Sequence, residues 1–245
     1  MARGGRFLVL ATVVALTFKP ASVLPRSCAN HLTSEGEQLA FTALTGTASP
    51  AFARRSRGGP TTKMGAGADS QVAIAEPLLR VGHGFDIHRM APHEDAEVGG
   101  PVVIGGVTFS DFDLGIVAHS DGDVVYHSIV DAVFGALGLP DIGQYFPDSD
   151  PRWKGAPSKV FMAEAWKQMD DRGYRIGNVD VTIIAQAPRM MDKNHPEAKP
   201  GKPFDHKLAM EDNIADLMKC DRNRVNVKAR THENVDAVGE KRALS

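Results

Sequence analysis

Residues 118–140 read AHSDGDVVYHSIVDAVFGALGLP. Val124, Val125, Ile129, Val130, Val133, Phe134 and Leu137 recur at helical spacing and form one apolar stripe, which stops at Gly138 and Pro140. Ser120 is read as the opening of this helix. Its hydroxyl can cap the first turn, and Asp121 and Asp123 suit the positive end of the dipole. Strand patterns lie on both sides. Leu78–Phe85 and Val102–Phe109 precede the helix, with Gly105-Gly106 marking a bulge or tight bend and 91–101 an exposed loop. Ser158 caps a second helix that ends at Gly173, Val179–Ala187 is a strand, Met210–Met218 a third helix and Val225–Ala229 a last strand. Strands and helices interleave without repeats. The expected fold is one α+β domain over residues 76–245, a mixed sheet packed against helices.

Composition narrows the function. The chain has 245 residues and a formal net charge of −2, with a pI near 6.5, which argues against a broad nucleic-acid-binding surface. Its two cysteines, Cys28 and Cys220, exclude a disulfide framework and a Cys-rich zinc module. Five of the nine histidines fall between positions 83 and 127.

The first part of the chain differs from the rest. Residues 1–77 carry eight Lys/Arg against four Asp/Glu, whereas the remainder carries 20 against 26. Arg3 and Arg6 precede an apolar run of twelve residues, Phe7–Phe18. That is too short to span a bilayer, which takes about 20 residues, and it has the form of a secretory signal. About fifty residues rich in Ser, Thr, Ala, Gly and Arg follow and resemble a transit peptide. Residues 1–75 are therefore expected to be a removable two-part plastid address lying outside the fold, leaving a mature form with no membrane attachment. A disordered tail behind a simple secretory signal is the alternative.

Several residue groups carry chemistry. Asp86 and His88 stand two apart at the end of the first strand pattern, so carboxylate and imidazole can converge on one point. His127, in the apolar helix, is a candidate third ligand, and Asp, His, His leaves a tetrahedral zinc one open position. Equally, a lone helix histidine can be a satisfied core residue. His119 and Ser120, just outside a helix start, suit a phosphate, although ordinary capping explains Ser120 as well. The loop Asp141-Ile142-Gly143 to Phe146-Pro147-Asp148-Ser149-Asp150 suits hydroxyl recognition or a hard cation, or is plain turn chemistry. Ala185-Gln186-Ala187-Pro188-Arg189-Met190, where a strand breaks, can place a base against backbone groups with Arg189 near phosphate, although this stretch and the one after the last strand can as easily be plain strand ends. Thr231 and Glu233 share a face after the last strand. No GxSxG, P-loop or strand-following GxGxxG occurs, so a metal, a diphosphate and a nucleotide fit better than a nucleophilic triad.

Arg80-Val81-Gly82-His83-Gly84-Phe85-Asp86-Ile87-His88, Ala118-His119-Ser120-Asp121-Gly122-Asp123-Val124, Asp141-Ile142-Gly143, Phe146-Pro147-Asp148 and Gly177-Asn178-Val179-Asp180-Val181 are together similar to the 2-C-methyl-D-erythritol 2,4-cyclodiphosphate synthase family. Ala229-Arg230-Thr231-His232-Glu233-Asn234-Val235-Asp236 resembles its plant and algal plastid form. The resemblance implies attack of a 2-phosphate on the β-phosphorus of a cytidine diphosphate substrate, releasing CMP and a cyclic diphosphate. It implies zinc on Asp86, His88 and His127, with Mg²⁺ or Mn²⁺ bridging the substrate diphosphate. His119 and Thr231 match groups that steady the transition state. Ser120, Asp141, Ile142, Gly143, Phe146, Pro147, Asp148, Ser149 and Asp150 match the substrate site, and Ala185, Ala187, Pro188, Arg189, Met190, Met191, His232 and Glu233 match the nucleotide site. It further implies a homotrimer with sites between subunits. Asp131, one turn beyond His127, is expected to orient that imidazole, or else to be a helix-surface carboxylate. Family members continue past Gly239-Glu240 with an apolar segment, so the domain is expected to be C-terminally truncated, and Lys193–Asp205 reads as a surface loop beside the nucleotide site. A metal-dependent phosphohydrolase and an inactive paralogue are the rival readings, and cyclic against linear product separates the first from a synthase.

Overall fold

The computed structural model describes Thr12–Phe18 and residues 77–245. The strands are β1 (Thr12–Phe18), β2 (Leu79–Gly84), β3 (His88–Pro92), β4 (Gly100–Ile104), β5 (Val107–Phe109) and β6 (Leu114–Val117), followed by helix α1 (Val124–Leu137). Then come α2 (Ile142–Tyr145), α3 (Lys159–Asp171), β7 (Tyr174–Ile184), the short pair β8 (Met191–Asp192) and β9 (Phe204–Asp205), and α4 (His206–Met218). The chain closes with β10 (Val225–Arg230), α5 (Asp236–Gly239) and β11 (Ala243–Leu244).

α1 is the centre of the core. Eleven of its residues are buried, so it is apolar almost all round, as an interior helix must be. It starts three residues later than the Ser120 reading placed it, because Asp123 is the N-cap and accepts the N–H groups of Val125 and Tyr126. Gly122, at φ +70°, makes the turn before it, and Ser120 instead accepts the Gly122 N–H. The fully buried Asp123 carboxylate also accepts Gly105 N–H at 2.8 Å and Gly106 N–H at 2.6 Å. Those glycines, at φ +58° and +76°, form the two-residue turn of a β4–β5 hairpin, so 102–109 is two strands and not one bulged strand.

Two sheets flank this helix. The first, in order β10-β7-β1-β2, is mixed: β10 runs parallel to β7, and β1 is antiparallel to both β7 and β2. The second, β11-β3-β6-β4-β5, is antiparallel throughout. The α+β expectation of a mixed sheet packed against helices holds.

Gly82 and Gly84 show why β2 can lie directly on α1. A Cβ on Gly82 would come within 1.7 Å of the Ala132 carbonyl oxygen, and one on Gly84 within 1.9 Å of that of Ser128. No side chain fits between the two backbones. This contact carries the chain leaving β2 to the level of His127.

One segment of the expected address lies within the fold. Thr12–Phe18, read as part of an address outside the fold, is a central strand with Val14 and Leu16 fully buried. An apolar, β-branched run has the same composition whether it serves export or fills a sheet interior, so sequence pattern alone does not separate the two. The rest of the expected address lies outside the described residues. At the other end, β11 pairs with β3, and Ser245 exchanges two backbone hydrogen bonds with Ile184 at 2.6 and 3.0 Å. No helix among the described residues is long and apolar enough to cross a membrane.

Candidate metal centre and substrate cavity

The chain leaves β2 at Gly84, turns through Asp86 and re-enters a strand at His88, while α1 brings His127 across from the other side. His127 Nδ1 stands 2.9 Å from Asp86 Oδ2 and 3.2 Å from His88 Nε2, and His88 Nε2 stands 3.2 Å from Asp86 Oδ2. Metal–ligand bonds of about 2.0–2.1 Å in a tetrahedron put neighbouring ligand atoms roughly 3.3 Å apart. Three N/O donors already in that triangle fit a zinc ion with one position open. Among the described residues, this is the one group of His, Cys, Asp and Glu side chains arranged to hold a metal.

Asp86 and His88 are biased toward the forms that bind a metal, whereas His127, paired with Asp86, must give up a proton to do so. Burial raises the Asp86 carboxyl, but its bond to His127 and the charges of both histidines outweigh that and leave it below the ordinary carboxylate range. Burial pulls His88 down, with Asp86 only partly opposing. Burial acts on His127 in the same sense, yet the hydrogen bond and charge of Asp86 hold it above the ordinary imidazole value.

The triad opens into a cavity of about 240 Å³ whose other walls are His119, Ser120, Ile142, Gly143, Phe146, Asp148, Trp153 and Phe161. Most residues proposed from the sequence for metal, phosphate and substrate thus meet in one place. His119 Nε2 is buried with no hydrogen-bond partner among the described residues, which leaves a donor or acceptor open to a ligand.

The other proposed residues gather elsewhere. β7 and β10 run parallel and end side by side, where Ala185 N–H donates to the Arg230 carbonyl at 3.0 Å. Asn234 N–H reaches Gln186 Oε1 at 3.4 Å, joining the Ala185–Met191 stretch to the Thr231–Glu233 loop. Pro188, Arg189 and Met191 line a second cavity, of about 770 Å³, together with Val107–Phe112 and the Asp192–Glu197 segment. The linings of the two cavities share no residue. Lys193–Asp205 forms one wall of the second cavity, bracketed by β8 and β9, with His195 stacked on Phe204 at 3.8 Å between centroids.

Residues 79–245 match the YgbB family. The chain belongs to that family. The chloroplastic 2-C-methyl-D-erythritol 2,4-cyclodiphosphate synthase of Oryza sativa subsp. japonica is 50% identical over 184 residues, covering 73% of this chain and 74% of its own. That of Catharanthus roseus is 49% identical over 167 residues, and the match covers 68% of this chain but 62% of the plant protein, so this chain spans less than two thirds of that relative. The synthase of Proteus mirabilis is 43% identical over 167 residues, covering 68% and 92%. Among solved structures, IspF of Plasmodium falciparum in complex with CDP is 33% identical with a TM-score of 0.52, covering 67% of this chain and 89% of its own.

Three of the expected site residues have partners within the chain. Asp131 does not orient His127. Its Oδ1 accepts the Ile142 N–H at 2.8 Å, and the His127 nitrogens are bonded to Asp86, Ser120 and Ser158. Asp150 is committed to Arg152, accepting its backbone N–H at 3.0 Å and its guanidinium. Asp141 caps α2, accepting the Gln144 N–H at 2.9 Å. Sequence reading also passed over Trp153, Phe161 and Ser158 at this site. The first two are cavity walls and the third bonds His127, and no local pattern marks any of them because each acts across a long separation.

Proposed function

We propose that this chain converts 4-diphosphocytidyl-2-C-methyl-D-erythritol 2-phosphate to 2-C-methyl-D-erythritol 2,4-cyclodiphosphate and CMP, in the non-mevalonate isoprenoid route of a plastid. The observation that carries this reading is the donor triangle of Asp86, His88 and His127 opening onto His119 and Ser120, in a YgbB chain. An oxygen of the 2-phosphate bonds to the β-phosphorus, the bond from that phosphorus to the α-phosphate oxygen breaks, and the oxygen leaves with CMP. No water enters and no bond to the protein forms.

Zn²⁺ bound at the triad supplies charge neutralisation and a fixed seat for a phosphate oxygen, which an attack between two anions needs. Asp86, His88 and His127 would hold it. His119 offers its unpartnered Nε2 to a phosphate oxygen, and Ser120 offers a hydroxyl from the same wall. Ile142, Gly143, Phe146 and Asp148 enclose the polyol end, and Asp141, Pro147, Ser149 and Asp150 shape the loop that carries them. A second divalent ion, Mg²⁺ or Mn²⁺, would be carried by the substrate's diphosphate and would neutralise further charge there.

The cytidine end is assigned to Ala185, Ala187, Pro188, Arg189, Met190 and Met191 with Thr231, His232 and Glu233. Because the two cavities share no lining residue, we assign one substrate to two neighbouring subunits of a homotrimer. Supporting this, the sheet face turned away from the helices exposes Leu79 and Val81 at 58% and 60%, an apolar surface suited to a second copy. Residues 1–75 are proposed as the plastid address. Cleavage behind β1 would detach a strand of the sheet, so the N-terminus of the protein recovered from plastids decides how much is removed.

Phosphorus NMR of the full chain with substrate, Zn²⁺ and Mg²⁺ tests the reading. Cyclic diphosphate and CMP, both abolished by His127→Ala, are expected. Linear phosphate products would overturn it in favour of a hydrolase. Light scattering should give three copies per particle, and a monomer would sink the shared-site assignment. Bulk secretion of a fluorescent protein fused to residues 1–77 would sink the plastid address.

A further inference from the structure

We infer that Ser158 and Asp121 are positioning residues for the metal ligand His127, acting as a hydrogen-bonded relay behind the zinc site. The inference rests on the metal-site reading above. Its starting point is a serine in an unexpected state. Ser158 occupies the N-cap position of α3, where a serine ordinarily accepts a bond from the first helical turn. Here its backbone is already helical, at φ −60° and ψ −15°, and its side chain makes no cap bond. It is fully buried. Its hydroxyl is spent on two partners far away in sequence, Asp121 Oδ1 and His127 Nε2, the latter at 2.9 Å.

Proton bookkeeping then gives each bond a direction. An ionised carboxylate only accepts, so the Ser158 O–H points to Asp121. With its one hydrogen committed, Ser158 Oγ can only accept from His127, which places the hydrogen on Nε2. The lone pair available to a metal is therefore on Nδ1, the nitrogen facing Asp86 and His88. Ser120 Oγ, 3.1 Å from Nε2, is also in reach of that N–H and accepts the Gly122 N–H, but among the described residues it has no carboxylate partner in turn.

Asp121 is itself fixed. Its Oδ2 accepts the Ser158 N–H at 2.9 Å, so one carboxylate grips both the main chain and the side chain of the serine. Its own N–H donates to the Ala156 carbonyl at 3.1 Å. The pair thus joins the start of α3 to the loop before α1 and sets both tautomer and ring orientation of His127. Outer partners of metal-bound histidines commonly change metal affinity about 10- to 100-fold when removed.

The test measures zinc affinity of the full chain by competition with a chromophoric chelator, for wild type, Ser158→Ala, Asp121→Asn and the double variant. A relay that works as one unit predicts a loss of about 10- to 100-fold in each single variant, and no further loss in the double. Cobalt-loaded variants should keep the intensity of a four-coordinate spectrum, since the three ligands are intact. Affinity within threefold of wild type, or losses that add in the double variant, would overturn the relay. Should Ser158→Ala fail to fold, Asp121→Asn carries the same comparison. Wild type that binds no zinc would overturn the metal site and the relay with it, whereas intact wild-type binding with unchanged variants overturns the relay alone.

Discussion

The Asp131 carboxylate on α1 accepts the Ile142 N–H of α2 at 2.8 Å, which ties the wall of the substrate cavity to the same helix that carries His127. Burial pushes this carboxyl above the ordinary aspartate range, with the Ile142 N–H opposing. His127 and the Ile142 wall are therefore anchored to one helix. Asp131→Ala should leave Ile142 and Gly143 poorly held. The expected result is KM for substrate raised several-fold with zinc affinity unchanged, and a stability loss of about 1 kcal/mol for the lost bond. A fall in zinc affinity equal to that of a relay variant would return Asp131 to the role of orienting His127.

Asp123 holds more than its own helix. Its fully buried carboxylate accepts four backbone N–H groups, from Gly105, Gly106, Val125 and Tyr126. Burial raises this carboxyl, and the N–H groups of Gly106, Gly105 and Tyr126 oppose the shift. Asp123→Ala strands all four donors at once. At about 1–3 kcal/mol for each buried group left unsatisfied, less relaxation, the cost should be at least about 3 kcal/mol in urea unfolding. A loss below about 1 kcal/mol would mean water reaches these donors.

The metal triad was legible in the sequence because its residue types are rare in combination and Asp86 and His88 are close in the chain. Strand and helix identities were legible wherever the apolar period was long, as in α1 and β7. Three features were hidden, each for a physical reason. The carboxylate that caps α1 was misassigned because Ser120, Asp121 and Asp123 are all competent caps, and Gly122 at positive φ decides among them. The second sheet was seen only as β4 and β5, since β3, β6 and β11 are short and take their register from one another. Ser158 looked like an ordinary cap, and only the folded chain shows its hydroxyl turned to His127.

β1 gives the sharpest test of the N-terminus. Val14 and Leu16 are fully buried, and the strand is hydrogen-bonded to β2 on one side and β7 on the other. Removing residues 1–22 leaves two facing strand edges unpaired inside a sheet, which invites aggregation. Leu16→Ala, a milder change, should cost about 2–5 kcal/mol by the usual range for a buried leucine. A chain without residues 1–22 that stays soluble and unfolds cooperatively at the wild-type midpoint would show that this strand is dispensable.

His232 and Asp236 fasten the loop that follows β10, with His232 Nδ1 2.9 Å from Asp236 Oδ1. The hydrogen bond to Asp236 raises the His232 pKa above its ordinary 6.5, and the same bond lowers Asp236 below 3.8. For the histidine, folded above unfolded means that the contribution is complete below pH 6.5 and disappears as pH rises through the folded value. For the aspartate, folded below unfolded means that it is complete above pH 3.8 and disappears as pH falls through the lowered value. The pair therefore fastens the loop best in the window between, and loosens toward alkaline pH. Histidine NMR should give a His232 midpoint above 6.5 that returns toward 6.5 in Asp236→Asn. If Thr231, His232 and Glu233 serve the nucleotide, the same variant should raise KM most below pH 6.5, where the wild-type pair is fully formed, and its difference from wild type should narrow as pH rises through the His232 midpoint. A His232 midpoint at or below 6.5 in the intact protein would remove the basis for this pH effect.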